Sequence, residues 1–121
     1  MSRVVHFELH AQDPQAAVSF YEHVFGWQSS KWDGPEDYWL VQTGTDDRPG
    51  INGGIMKSQD GQPRTVNTIE VDSVEAYTEK VAAAGGSVVV PKMAIPGVGY
   101  VAYATDPAGN IFGIFTPDES V

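Results

Sequence analysis

Three side chains able to bind a metal or move a proton, His6, Glu8 and His10, alternate near the start of the chain with Phe7, Leu9 and Ala11. A period of two is the pattern of a strand, so the two imidazoles and the carboxylate share one face and the apolar residues the other. Thr68 and Glu70 share a face in the same way within a second apolar stretch, residues 66–71. Imidazole and carboxylate together supply either ligation of a divalent ion or general acid–base transfer of a proton. Successive residues on one face of a strand lie about 7 Å apart, wider than two ligands of one ion prefer. His6, Glu8 and Glu70 would therefore serve a metal only as a displaced site with converging side chains. Glu8 and Glu70 are the candidate catalytic carboxylates, with His6 as acid or ligand. His10 near the strand end and His23 among Glu22 and Val24 are assigned no chemistry. Ser19, Ser29 and Ser30 lie in no Gly-x-Ser-x-Gly turn, and Gly50 to Gly54 leads into a strand rather than a helix. Nucleophile-elbow and phosphate-loop readings are therefore poor.

The elements that must position these residues follow a repeated order. Residues 4–11 read as a strand. Asp13 is a helix N-cap with Pro14 at the first helical position, and Ala17, Phe20/Tyr21 and Val24 recur at helical spacing until Gly26. Residues 27–32, 38–43 and 53–57 are short strands, separated by Asp33-Gly34-Pro35 and a loop over 44–50. The order then recurs. A strand over 66–71 precedes a helix capped by Asp72 or Ser73, with Val74, Tyr77, Val81 and Ala84 as its apolar stripe and Gly85-Gly86 as its stop. Strands over 87–91, 99–104 and 111–116 complete it, the last two joined by the turn Asp106-Pro107-Ala108-Gly109-Asn110. An offset of sixty residues lays His6 on Val66, Leu9 on Ile69, Asp13 on Ser73 and Gly26 on Gly86 without a gap. The expectation is a single α+β domain over 1–121, built of two βαβββ repeats at about 3–57 and 65–116. Paired mixed sheets would surround a concave trough, with helices on the convex sides, and a trough suits a small ligand.

Composition narrows the partners. The chain has 121 residues, sixteen acidic against seven basic, for a formal charge of −9. Without a Lys/Arg cluster it is not expected to bind nucleic acid. The absence of cysteine excludes disulfides, thiolate metal sites and thiol nucleophiles. No apolar run approaches a membrane span and no signal-peptide pattern opens the chain, so the expected location is cytoplasmic.

His6-Phe7-Glu8-Leu9, Asp13-Pro14, Phe20-Tyr21 and Phe25-Gly26-Trp27, with the closing Asp106-Pro107-x-Gly109-Asn110-Ile111-Phe112, resemble the recognisable segments of the vicinal oxygen chelate superfamily. This is the glyoxalase, bleomycin-resistance and ring-cleaving dioxygenase fold. Residues 91–97 resemble a subgroup described as related to lactoylglutathione lyase. The resemblance implies four metal ligands, histidines on the first and fifth strands and carboxylates near the ends of the fourth and eighth, holding Zn, Ni, Mn or Fe. Carried onto this chain, the first position is His6, the fifth-strand position is Val66, the eighth is Gly113, and the fourth is Gly53 or Gly54, with Gly54 favoured because Gly54-Ile55 mirrors Gly113-Ile114. One histidine supplies neither the charge nor the chelation to strip water from a divalent cation, so no cofactor is expected.

Glycine at both carboxylate positions would enlarge the trough, or else accommodate sheet curvature. The expected ligand-binding set is His6, Trp39, Asn52, Gly54, Met56, Val66, Thr68, Tyr100, Gly113 and Phe115, with Tyr103 a further apolar wall and Asn52 and Thr68 the orienting polar groups. Trp27 and Trp32 are expected to pack. The leading expectation is a metal-free homodimer that binds a small molecule. The alternatives are a metal-dependent lyase or isomerase using His6 with Glu8 or Glu70, and a regulatory or interaction module.

Overall fold

The computed structural model describes residues 2–121. Its eight strands and two helices run β1 (Arg3–Ala11), α1 (Pro14–Phe25), β2 (Gln28–Lys31), β3 (Tyr38–Gln42), β4 (Asn52–Lys57), β5 (Arg64–Glu70), α2 (Val74–Ala83), β6 (Ser87–Ile95), β7 (Gly99–Thr105) and β8 (Ile111–Pro117). The fold is α+β, with the βαβββ order occurring twice. By their contacts the residues divide into two compact units, His6–Val66 and Asn67–Val121, the latter with residues 2–5.

In the first unit the strands lie in the order β2-β3-β4-β1. The β2/β3 and β3/β4 pairs are antiparallel, and β4 runs parallel to β1. Helix α1 begins where Asp13, in extended conformation, accepts a hydrogen bond from the Ala16 N–H at 3.2 Å, and Pro14 starts the first turn with no N–H to satisfy. It ends at Gly26, whose φ of 72° suits glycine, with the Gly26 N–H donating to the Glu22 carbonyl at 3.0 Å. Val18 packs with Val41 and Ile55, joined by Leu9, Ala11, Ala17, Tyr21, Trp27 and Trp39. The expected apolar stripe is thus rotated. Ala17 and Tyr21 face inward with Val18, whereas Phe20 and Val24 stand 54% and 51% exposed.

The second unit repeats the plan as β5-β8-β7-β6, with β5 parallel to β8 and the other pairs antiparallel. Of the two expected caps for α2, Ser73 is the one used, accepting from the Ala76 N–H at 3.2 Å. Val74 packs with Val71, Ala102 and Ile114, and Ile69, Tyr77, Tyr100 and Phe112 surround them. Strand β6 runs beyond the expected end at Pro91 to Ile95. The register against β7 shifts between Val88 and Val90 and again between Val90 and Met93, and Pro91, which has no N–H for a ladder, sits in that irregular stretch.

Candidate ligand site

The polar face of β1 is the more enclosed one. Its apolar face meets α1 through Leu9 and Ala11, and the opposite face carries His6, Glu8 and His10. Glu8 is only 7% exposed, and a buried carboxylate needs donors at its oxygens. Tyr38, the first residue of β3, donates its phenol proton to Glu8 Oε2 at 3.1 Å. The same hydroxyl lies 2.8 Å from His6 Nε2, and His10 Nε2 lies 3.3 Å from Glu8 Oε1. Burial lowers the His6 pKa below the usual imidazole value, partly opposed by the charge of Glu8. The ring is therefore neutral at pH 7.

Register explains how Tyr38 reaches this row. Glu8, Gly54 and Leu40 are paired across β1, β4 and β3, while His10, Met56 and Tyr38 are paired one step along. Tyr38 leans diagonally across β4 from its own row to reach Glu8 and His6. Only glycine permits this, because a Cβ placed at Gly54 would overlap the Tyr38 phenol. The corner from which the resemblance draws a carboxylate is thus filled by a tyrosine hydroxyl already bonded to the retained histidine.

In the second unit, the face away from α2 is mainly apolar. Thr68, Gly113 and Tyr103 form one paired row, and Glu70, Phe115 and Val101 the next. A Cβ at Gly113 would lie 3.3 Å from the Tyr103 ring and 3.4 Å from Thr68 Oγ1. Thr68 is buried and Glu70 is exposed, while Val66, two residues earlier on β5 and grouped by its contacts with the first unit, is completely enclosed.

Of the residues expected at a site, the structure brings His6, Glu8 and Gly54 together, with Asn52 paired beside His6 and Met56 beside His10. Thr68, Gly113 and Phe115 share the second-unit face. Trp39 and Tyr100 lie elsewhere. Trp39 packs under α1, with Lys31 Nζ 5.5 Å from its ring, and Tyr100 packs under α2, with Lys92 Nζ 4.4 Å from its ring. The sequence reading passed over Tyr38 and discounted His10, although both bond to Glu8. A cleft of about 480 Å³ opens at the end of β1, lined by Leu9, His10, Ala17, Tyr21 and Arg64 among others, and His10 is the network member that reaches it. The Arg64 guanidinium there is held by Asp60 through bonds of 2.9 and 2.8 Å.

These residues do not fit the four-ligand metal pattern. His6 stands at its position, but Val66, Gly54 and Gly113 offer no donor side chain, and His6 Nε2 is engaged by Tyr38. Among the described residues no three His, Cys, Asp or Glu side chains are grouped so as to hold an ion.

Two mixed-sheet βαβββ repeats, with a histidine on the first strand and an aspartate-proline-glycine-asparagine turn before the last, define a vicinal-oxygen-chelate-type protein. The chain belongs to the Glyoxalase/Bleomycin resistance protein/Dioxygenase superfamily, whose family model it matches over residues 3–114. It is 32% identical over 113 residues to the CFP32 protein of Mycobacterium bovis, provisionally named a glyoxylase, and that match covers 91% of this chain and 42% of CFP32. It therefore spans less than half the length of the curated relatives it matches. Among solved structures, methylmalonyl-CoA epimerase of Streptomyces coelicolor, in complex with 2-nitronate-propionyl-CoA, superposes with a TM-score of 0.71 at 13% identity, covering 97% of this chain and 95% of that one. The Mn(II)-bound glyoxalase of Novosphingobium aromaticivorans gives 0.66 at 23% identity, covering 96% and 40%. At these identities the structural likeness is one of fold.

Proposed function

We propose that this chain binds a small organic molecule at the His6, Glu8 and Tyr38 face of its first repeat, without the divalent metal that the family pattern uses there. The observation that carries this reading is the Tyr38 hydroxyl, lodged over Gly54 and bonded to both His6 and Glu8. A side chain in that place supports ligand binding by hydrogen bonds and shape, because it engages His6 Nε2 and fills the corner where the family pattern sets a carboxylate ligand. Residues 1–121 form one domain that acts in a cytoplasmic homodimer, in keeping with the family and with the prevalence of symmetric dimers among soluble oligomers. Elemental analysis tests the metal-free reading. Protein purified without chelator and dialysed against Mn(II), Ni(II) or Zn(II) is expected to retain far less than one equivalent. Stoichiometric metal that disappears in His6→Ala would overturn it.

A second reading is favoured by the buried Glu8, whose two oxygens are held by Tyr38 and His10, and by the name of the mycobacterial relative. In it the protein is a lyase or isomerase, with Glu8 removing a proton next to a carbonyl and His6 as acid. Glu70 is exposed, a poorer setting for a base tuned toward neutral pH. Turnover of methylglyoxal–thiol adducts, with and without added nickel, zinc or manganese, separates the readings. Its absence in all four conditions removes the glyoxalase form of the second.

A further inference from the structure

We infer that His6 and Asn52 form a paired acceptor and donor on this face, so that the ligand is an uncharged molecule bearing a hydroxyl or primary carboxamide. The inference rests on the small-molecule reading above and names the ligand chemistry for it.

A phenol has one proton. Tyr38 gives it to Glu8 Oε2 at 3.1 Å, which leaves the phenol oxygen as an acceptor toward His6 Nε2 at 2.8 Å. Nε2 must then carry the hydrogen, and the neutral ring has its lone pair on Nδ1. His10, on the other oxygen of Glu8, adds a second donor to the carboxylate, in keeping with this direction of the bonds. Among the described residues every enclosed side-chain nitrogen or oxygen has a hydrogen-bond partner. His6 bonds through Nε2 and is only half-buried, which leaves Nδ1 to meet a solute.

Asn52 supplies the complementary group. It pairs with His6 across β4 and β1, where neighbouring strands lie about 4.8 Å apart, and paired residues of a parallel ladder share a face. The Asn52 carbonyl oxygen accepts from the Thr43 N–H at 2.9 Å, which fixes the amide so that its NH₂ is the remaining donor. An acceptor beside a donor matches a group that is both at once, which a hydroxyl and a primary carboxamide are. A carboxylate or phosphate would set its charge against the Nδ1 lone pair and near Glu8, and a hydrocarbon would leave both groups unpaired.

Benzyl alcohol, benzamide, benzoate and toluene, matched in ring and different in polar group, test this on the full chain. Long-range ¹⁵N–¹H correlation spectra of the imidazoles are expected to show His6 as the Nε2–H tautomer. Benzyl alcohol and benzamide should move its Nδ1 signal, while benzoate and toluene leave it in place. In Asn52→Ala the dissociation constants of the two responding probes should rise about tenfold, one hydrogen bond's worth. In Tyr38→Phe the tautomers should mix. An Nδ1–H tautomer in the wild-type protein, or equal response to all four probes, overturns the inference. Neither result involves bound metal, whereas failure of the parent reading would appear as stoichiometric metal on His6, so the two failures are distinguishable.

Discussion

The faces opposite the two helices are built on one plan and filled in opposite ways. In the first repeat, His6, Glu8 and His10 are drawn together by Tyr38 over Gly54. In the second, the offset places Val66, Thr68 and Glu70 in their stead. Val66 is enclosed, Glu70 is exposed, and the Tyr103 ring lies against Gly113. Each repeat has a glycine where the family pattern has a carboxylate and a tyrosine beside that glycine. The difference lies in what the tyrosine meets. Beside Gly54 the hydroxyl itself occupies the space over the glycine and finds a histidine and a carboxylate. Beside Gly113 the edge of the ring is nearest. The same loss of a side chain therefore admits a tyrosine hydroxyl in one repeat and, in the other, the edge of a tyrosine ring beside the Thr68 hydroxyl.

Adding a methyl group at each glycine is the strongest way to break this comparison. In Gly54→Ala the new Cβ displaces Tyr38, and Glu8 and His6 lose their shared partner while Glu8 stays buried. A cost of about 2–3 kcal/mol is expected, read as a lower urea midpoint at unchanged slope. Tyr38→Phe keeps the ring over Gly54 and removes the hydroxyl, so it isolates the hydrogen bonds. Its expected cost is about 1–2 kcal/mol. Should Tyr38→Phe prove neutral, the polar corner contributes nothing to stability and the two repeats differ in composition alone.

How much of this was legible before the structure depends on how local each feature is. Caps and helix stops could be read because Asp13, Ser73 and Gly26 act through bonds to residues three or four away. The rotation of α1 could not, since helical spacing gives a stripe without saying which of Tyr21 or Phe20 turns inward. Trp39 and Tyr100 were placed on the wrong side of their strands by the same kind of gap, because a single step in register exchanges the two faces. Tyr38 was missed for a further reason. Its partners lie on β1, two strands away, and the contact is diagonal, so no spacing within one segment encodes it. A signal was nevertheless present in Gly53-Gly54 at the middle of a strand, which asks what approaches so closely that no side chain is allowed there. His6 and Glu8 stand out by type and alternation and Gly54 by the family resemblance and the repeat, whereas the residue that joins them depends on pairing.

A gentler contrast comes from Gly113→Ala. Its Cβ would sit 3.3–3.4 Å from the Tyr103 ring and Thr68 Oγ1, so those neighbours need move only a few tenths of an ångström. The lost backbone freedom of the unfolded chain partly offsets the crowding. A change under about 1 kcal/mol is expected, against the larger loss at Gly54. Equal losses at the two sites would mean that the cost reflects sheet geometry, with no part for the hydrogen-bonded corner.

The smallest effect is a pH dependence confined to the first repeat. Burial depresses the pKa of folded His6 below the usual imidazole value, with Glu8 partly opposing. In the window below that value the unfolded chain binds the proton more readily than the folded one, so stability rises with pH there. The contribution is fully present above the unfolded imidazole pKa and is lost as the pH falls toward the depressed folded value. Val66, the counterpart in the second repeat, has no proton to exchange. His6→Val, which makes the first repeat resemble the second at this position, should therefore flatten the slope of unfolding free energy between neutral pH and the lower edge of that window. A slope unchanged by the substitution would show that His6 does not carry this pH dependence. Glu8→Gln distinguishes the two components of the shift. It removes the carboxylate charge and leaves the ring buried, so a slope that survives it arises from burial of the ring, the larger cause.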